Sequence, residues 1–178
     1  MKLLAAALLL AAAASAQDAP ANPLIASSRG MFAIAKNDIL ASANKIPPEM
    51  WSFKPTPEVR SIAQLLAHVA DGQYEFCNLA AGTNVSKNIE KTFKSNDDIM
   101  TGLNNAFAFC EATYAQMTDA DAPTLVSMFG RRLSKLGAMD FNIAHTMEHY
   151  GNLVTYMRLK GIVPPSSEPR QPATSKKQ

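Results

Sequence analysis

Residues 56–81, TPEVRSIAQLLAHVADGQYEFCNLAA, place Ile62, Leu65, Leu66, Val69, Gln73 and Phe76 on one face at spacings of three and four. That period belongs to an α-helix burying a single stripe. Thr56 reads as its N-cap, with Pro57 in the first turn and Glu58 at the positive end of the dipole. Ser61 and Gln64 offer a second capping box. Gly82 ends the segment near Ala81.

Working outward, three more segments keep the helical period. One runs from about Leu24 to Ala43 through Ile25, Phe32, Ile34, Ile39 and Leu40. Another follows the cap Ser95-Asn96-Asp97-Asp98 and carries Ile99, Leu103, Ala106, Phe107, Cys110, Tyr114 and Met117, closing between Asp119 and Pro123. The last runs from about Ser134 to Lys160 and stops at Gly161 and the pair Pro164-Pro165. The proline-rich stretch between Ile46 and Pro57 cannot continue a helix, so it reads as a loop pinned by Trp51 and Phe53. Leu125 to Arg132 reads as a loop or short turn around Gly130. Four helical segments and no convincing alternating strand predict an all-α fold, a four-helix bundle. The long connection between the second and third segments lets those two lie parallel.

The first sixteen residues hold Lys2, an unbroken apolar run and Ala14-Ser15-Ala16, the pattern of a secretory signal cut before Gln17. A membrane anchor is the alternative, but the run is shorter than the roughly 20 apolar residues that span a bilayer. The expectation is a periplasmic or secreted protein with no membrane span after cleavage. Its bundle would occupy residues 17–165, and the Ser-, Pro- and Lys-rich tail 166–178 would be disordered. Removing the signal takes away Lys2 and no acid, so 17 basic against 15 acidic residues become 16 against 15. That balance gives no nucleic-acid footprint, which needs a clustered basic face.

The chain has three histidines, and two stand in the pentapeptide His145-Thr146-Met147-Glu148-His149. On a helix His145 and His149 are about 40° apart and one turn along, so both imidazoles can aim at one point. Phe141, Glu148, Asn152 and Tyr156 share that arc. The bland reading is a solvated polar face. His68 weighs against it: it lies thirteen residues before Ala81, while His145 and His149 lie eleven and fifteen after Ser134. If the second and fourth segments are antiparallel, all three histidines share one level. Gly72, one turn after His68, leaves open space beside it. Three imidazoles with one side open are the ligand set of a catalytic zinc-type site.

His-x-x-Glu-His is also the inverted zinc-peptidase signature, with the glutamate as general base. That chemistry needs a further acidic ligand well downstream, and only Glu168 follows His149. Nearly the whole mature chain instead resembles the DinB-like superfamily. The residues that carry the resemblance are WSFKPTPEVRSIAQLLAHVAD (51–71) and HTMEHYGNLVTYMRLKGIVPP (145–165). The resemblance implies an up-down-down-up bundle and a divalent-metal site, often zinc or nickel, on His68, His145 and His149. It also implies that some relatives are transferases or isomerases acting with low-molecular-weight thiols. An exported protein meets no reliable pool of reduced thiol, so metal-assisted hydrolysis is favoured over thiol transfer.

In that up-down-down-up order Cys77 and Cys110 are level, sixteen residues after Ser61 and fifteen after Ser95. Antiparallel helices would separate them by about 15 Å, beyond disulfide reach. A Cys77–Cys110 disulfide is therefore expected. The sequence thus describes an exported metal-dependent enzyme acting on a small molecule, with Glu148 as proton shuttle and Asn152 and Tyr156 as substrate contacts. The competing description is a binding module that holds metal or a small ligand without turnover. A homodimer is compatible with both.

Overall fold

The computed structural model describes residues 21–169. The expected signal, residues 1–16, and the end of the expected tail, residues 170–178, lie outside the described residues. Helix α1 (Pro23–Lys45) begins with proline in its first turn. Its free N–H groups at Leu24 and Ile25 donate to the Asp119 carboxylate at 3.1 and 3.0 Å. The carboxylate meets the positive end of the helix dipole, fixing the start of α1.

Helix α2 (Ile62–Ala81) uses the second of the two starts read from the sequence. The Gln64 N–H donates to Ser61 Oγ at 3.2 Å and the Ser61 N–H to Gln64 Oε1 at 2.9 Å, a complete capping box. The Thr56 start is corrected. The N–H groups of Ile62 and Ala63 donate to the carbonyls of Phe53 and Trp51 at 3.0 and 2.8 Å. The proline-rich loop folds back and serves these donors, so residues 54–60 stay outside the helix.

The second-to-third connection contains a one-turn helix, α3 (Ile89–Thr92), absent from the sequence reading. Its N–H groups at Ile89 and Glu90 donate to the two carboxylate oxygens of Asp71 at 2.7 and 2.9 Å. Helix α4 (Asn96–Gln116) starts at the expected Ser95 cap, in a box with Asp98. Helix α5 (Lys135–Leu159) is capped by Ser134 Oγ, which accepts from the Gly137 N–H at 2.9 Å.

Residues 125–134, expected to be a loop up to Arg132, form an antiparallel hairpin of β1 (Leu125–Met128) and β2 (Arg131–Ser134). Phe129 and Gly130 make the two-residue turn, both at positive φ, 50° and 74°. Strands of four residues are too short for a clear alternation, and the turn lacks the usual asparagine, so the pattern was hidden.

Cross-helix contacts set the directions. Tyr74 meets Phe109 and Cys77 meets Cys110, so α2 and α4 run parallel. Arg60, just before α2, meets Tyr156, and Phe76 meets Phe141, so α2 and α5 are antiparallel. Ser28 meets Tyr114 while Lys36 meets Glu111, so α1 opposes α4. The order of the four long helices is up-down-down-up. No helix among the described residues is long and apolar enough to cross a membrane.

The disulfide Cys77–Cys110 lies in the fully buried core with its Cα atoms 5.5 Å apart. Asn142 Nδ2 stands 3.6 Å from each sulfur and donates to Gln73 Oε1 at 2.7 Å; Gln73 Nε2 donates to Thr146 Oγ1 at 2.9 Å. This buried polar ladder ties α2 to α5 beside the histidines. The tail is corrected over its first residues. Pro165–Ser167 form a 3-10 turn because Tyr150 Oη donates to Ser166 Oγ at 2.7 Å and accepts from the Ser166 N–H at 3.0 Å. Lys45 pairs with Glu168 alongside.

Among the packed aromatics, burial pushes the Tyr114 phenol up to about 12, eased by Ser28 and reinforced by Asp140. A phenol with a raised folded-state pKa stabilises the fold fully below about pH 10 and loses that contribution as pH climbs through about 12. Alkaline denaturation over that window should therefore be steeper in wild type than in Tyr114→Phe. Equal pH dependence of the two melting temperatures would contradict this.

Candidate metal centre

Three histidines converge between α2 and α5. His145 Nε2 lies 3.2 Å from His68 Nε2 and 3.1 Å from His149 Nε2. All three ligand nitrogens fall within 4.8 Å of one another. Nitrogens bound to one tetrahedral zinc-type ion at about 2.0–2.1 Å stand about 3.3–3.4 Å apart, close to the two short separations.

One ring proton of the three is placed by a hydrogen bond. His68 Nδ1 is 3.1 Å from Glu90 Oε2, and a carboxylate accepts, so this nitrogen carries a proton and Nε2 is the atom turned to the cluster. Arg60 Nε donates to the other oxygen of Glu90 at 2.7 Å. Helix α3, held by Asp71, delivers Glu90 to this point. On the far side Asn152 Nδ2 lies 3.5 Å from His149 Nδ1. His145 Nδ1 is buried without a hydrogen-bond partner.

Burial pushes the His145 imidazole down to about 3, reinforced by His149, His68 and Arg60. His149 is also lowered, first by burial and then by His68. Both rings are therefore neutral near pH 7, the form that ligates a metal. The donor set, its spacing and the neutral rings of His145 and His149 fit a divalent ion.

Close packing brings His145 there. A Cβ built on Gly72 would stand 2.6 Å from His145 Cε1 and 2.9 Å from its Nδ1. The open space beside Gly72 is thus occupied by His145, rather than serving His68. Phe76 packs edge-on against the same ring at 5.2 Å.

A cleft of 650 Å³ opens at one side of the cluster, lined by Arg60, Glu90, Glu148, His149, Asn152 and Tyr156 among others. Glu148 is exposed on its wall. Tyr156 is only 6% exposed, and its hydroxyl donates to the Arg60 carbonyl at 3.1 Å. Asn152 and Tyr156 thus reach the cleft beside the histidines. Glu90 and Arg60 escaped the sequence reading because no spacing rule links them to His68; the one available signal was a carboxylate in the connection after α2.

With this fold and cluster in view, residues 31–153 match the family model described as DinB superfamily. The chain belongs to the DinB superfamily. YjoA of Bacillus subtilis (strain 168), described as an uncharacterized protein, is 26% identical to it over 123 residues, covering 67% of this chain and 79% of YjoA. The crystal structure of a DinB-like protein from Bacillus cereus ATCC 10987 superposes with a TM-score of 0.70 at 19% identity, covering 79% of this chain and 95% of its own. The crystal structure of YjoA gives 0.66 at 21% identity, covering 82% and 99%. These likenesses carry the DinB fold, and the histidine geometry of this DinB superfamily chain is read from its own residues.

Proposed function

We propose that this DinB superfamily protein is an exported, metal-dependent enzyme, a hydrolase rather than a thiol transferase, acting on a small molecule. His68, His145 and His149 hold a divalent ion, zinc or nickel. The observation that carries this reading is the convergence of three Nε2 atoms with His68 Nδ1 fixed by Glu90. The separations of 3.2 and 3.1 Å are near those of imidazole nitrogens that share one ion. The buried disulfide supports export, since such bonds persist in oxidising compartments.

The ion supplies Lewis acidity, drawing electron density from a coordinated group and lowering its pKa. The chain's residues do the rest. Glu90 holds the His68 tautomer, and Arg60 holds Glu90. Glu148 on the cleft wall takes up a proton at its carboxylate. Asn152, with its amide oxygen turned to accept from His149 Nδ1, orients His149 and, with Tyr156, faces the substrate.

Glu90→Gln keeps the size but removes the charge, so divalent-metal affinity should fall about 10- to 100-fold, measured by competition with a chromogenic chelator. Unchanged affinity would remove Glu90 from the site. Turnover is tested by screening ester and amide substrates with added zinc or nickel. Metal-dependent product lost in Glu148→Gln supports the enzyme; metal binding without product across the screen favours the binding module.

A further inference from the structure

The hairpin carries a residue that its own backbone disfavours. Phe129 holds φ at 50° in the first position of the turn, where Asn or Asp is at home and a bulky side chain is strained. The residue is also 67% exposed. A phenylalanine there is unfavourable in backbone and in solvation together, and such positions cluster at ligand sites.

The ring stands 5.8 Å from Phe141 and 6.2 Å from Phe76, and Phe76 in turn contacts His145. Phe129, Phe141, Met128 and Leu133 wall a cleft of 520 Å³ that also presents Arg131 and Arg132. That volume is within the range of small-molecule sites. Among the described residues neither arginine pairs with a carboxylate, whereas Lys36, Lys45 and Arg60 do. In the hairpin register Arg131 stands opposite Met128 and on the face of Leu133, so the apolar walls and its uncompensated guanidinium complement a ligand that is apolar in body and anionic at one end.

We propose that this cleft binds an aromatic or branched apolar carboxylate, with the apolar body against Phe129 and Phe141 and the charge on Arg131. Phe141 precedes His145 by one helical turn, so the ligand lies about 6 Å along α5 from His145. The site is complete without the metal and is tested without it.

The test is a fluorescence titration of the full chain, with chelator present, using anilinonaphthalene sulfonate as apolar anion and phenylnaphthylamine as uncharged counterpart. Wild type should bind one sulfonate per chain. Phe129→Asn, which suits the turn, should weaken both probes at least about tenfold with the melting temperature unchanged or raised. Arg131→Gln should weaken the sulfonate about tenfold and leave the uncharged probe within about twofold. The proposal is overturned if wild type does not bind the sulfonate, or if binding survives Phe129→Asn. It is equally overturned if that variant lowers the melting temperature along with binding, or if the arginine variant affects both probes alike.

Discussion

Replacing both cysteines, as Cys77→Ala/Cys110→Ala, should lower the melting temperature by about 10 °C. The disulfide closes a loop with a sequence separation of 33. In the chain-entropy description a loop of that length restricts the unfolded ensemble by about 3.5–4 kcal/mol. Domains of this size have about 5–15 kcal/mol in total, and each kcal/mol moves the transition by about 2–4 °C. Both sulfurs are fully buried and flanked by Asn142, so alanine also leaves small voids that add to the loss. Reductant should act slowly on the folded wild-type protein, because no sulfur is accessible. A double variant melting within 2–3 °C of oxidised wild type, the shift expected from only about 1 kcal/mol, would contradict this account.

The second large effect separates stability from function. Glycine inside a helix is normally worse than alanine by roughly 0.5–1 kcal/mol, so Gly72→Ala in mid-α2 should stabilise on helix propensity alone. Here the added methyl meets His145 Cε1 at 2.6 Å. The imidazole is the end of a side chain and can rotate away, so the expected change in melting temperature is small. The rotated ring no longer points its Nε2 at His68 and His149, and a ligand is lost. Metal affinity should drop on the order of 100-fold or more, beyond what loss of an outer-shell partner does. Calorimetric titration of folded Gly72→Ala with zinc checks this, and wild-type affinity would show that the methyl is accommodated without moving His145.

Much of the architecture was legible because it rests on local rules. The helical stripes and the caps at Ser95 and Ser134 follow from side-chain chemistry within a few residues. Counting residues from helix ends was enough to bring His68 level with His145 and His149 and Cys77 level with Cys110. What stayed hidden depends on the chain folding back. Which start α2 takes was decided by the carbonyls of Trp51 and Phe53, which serve its first N–H groups. Glu90 reaches His68 only because Asp71 caps a one-turn helix eighteen residues on. The hairpin hides behind a phenylalanine where turn chemistry calls for asparagine. In the sequence Gly72 offers room to its neighbour His68, and only tertiary packing assigns that room to His145.

His68, His145 and His149 are proposed to hold one divalent ion together. Metal analysis of untagged protein, followed by zinc titration of the chelator-stripped chain, tests it most directly. One equivalent of a zinc-class ion per chain in wild type, and none in His68→Ala/His145→Ala, is the predicted result. Equally little metal in both proteins, with no saturable zinc binding by wild type, would contradict it.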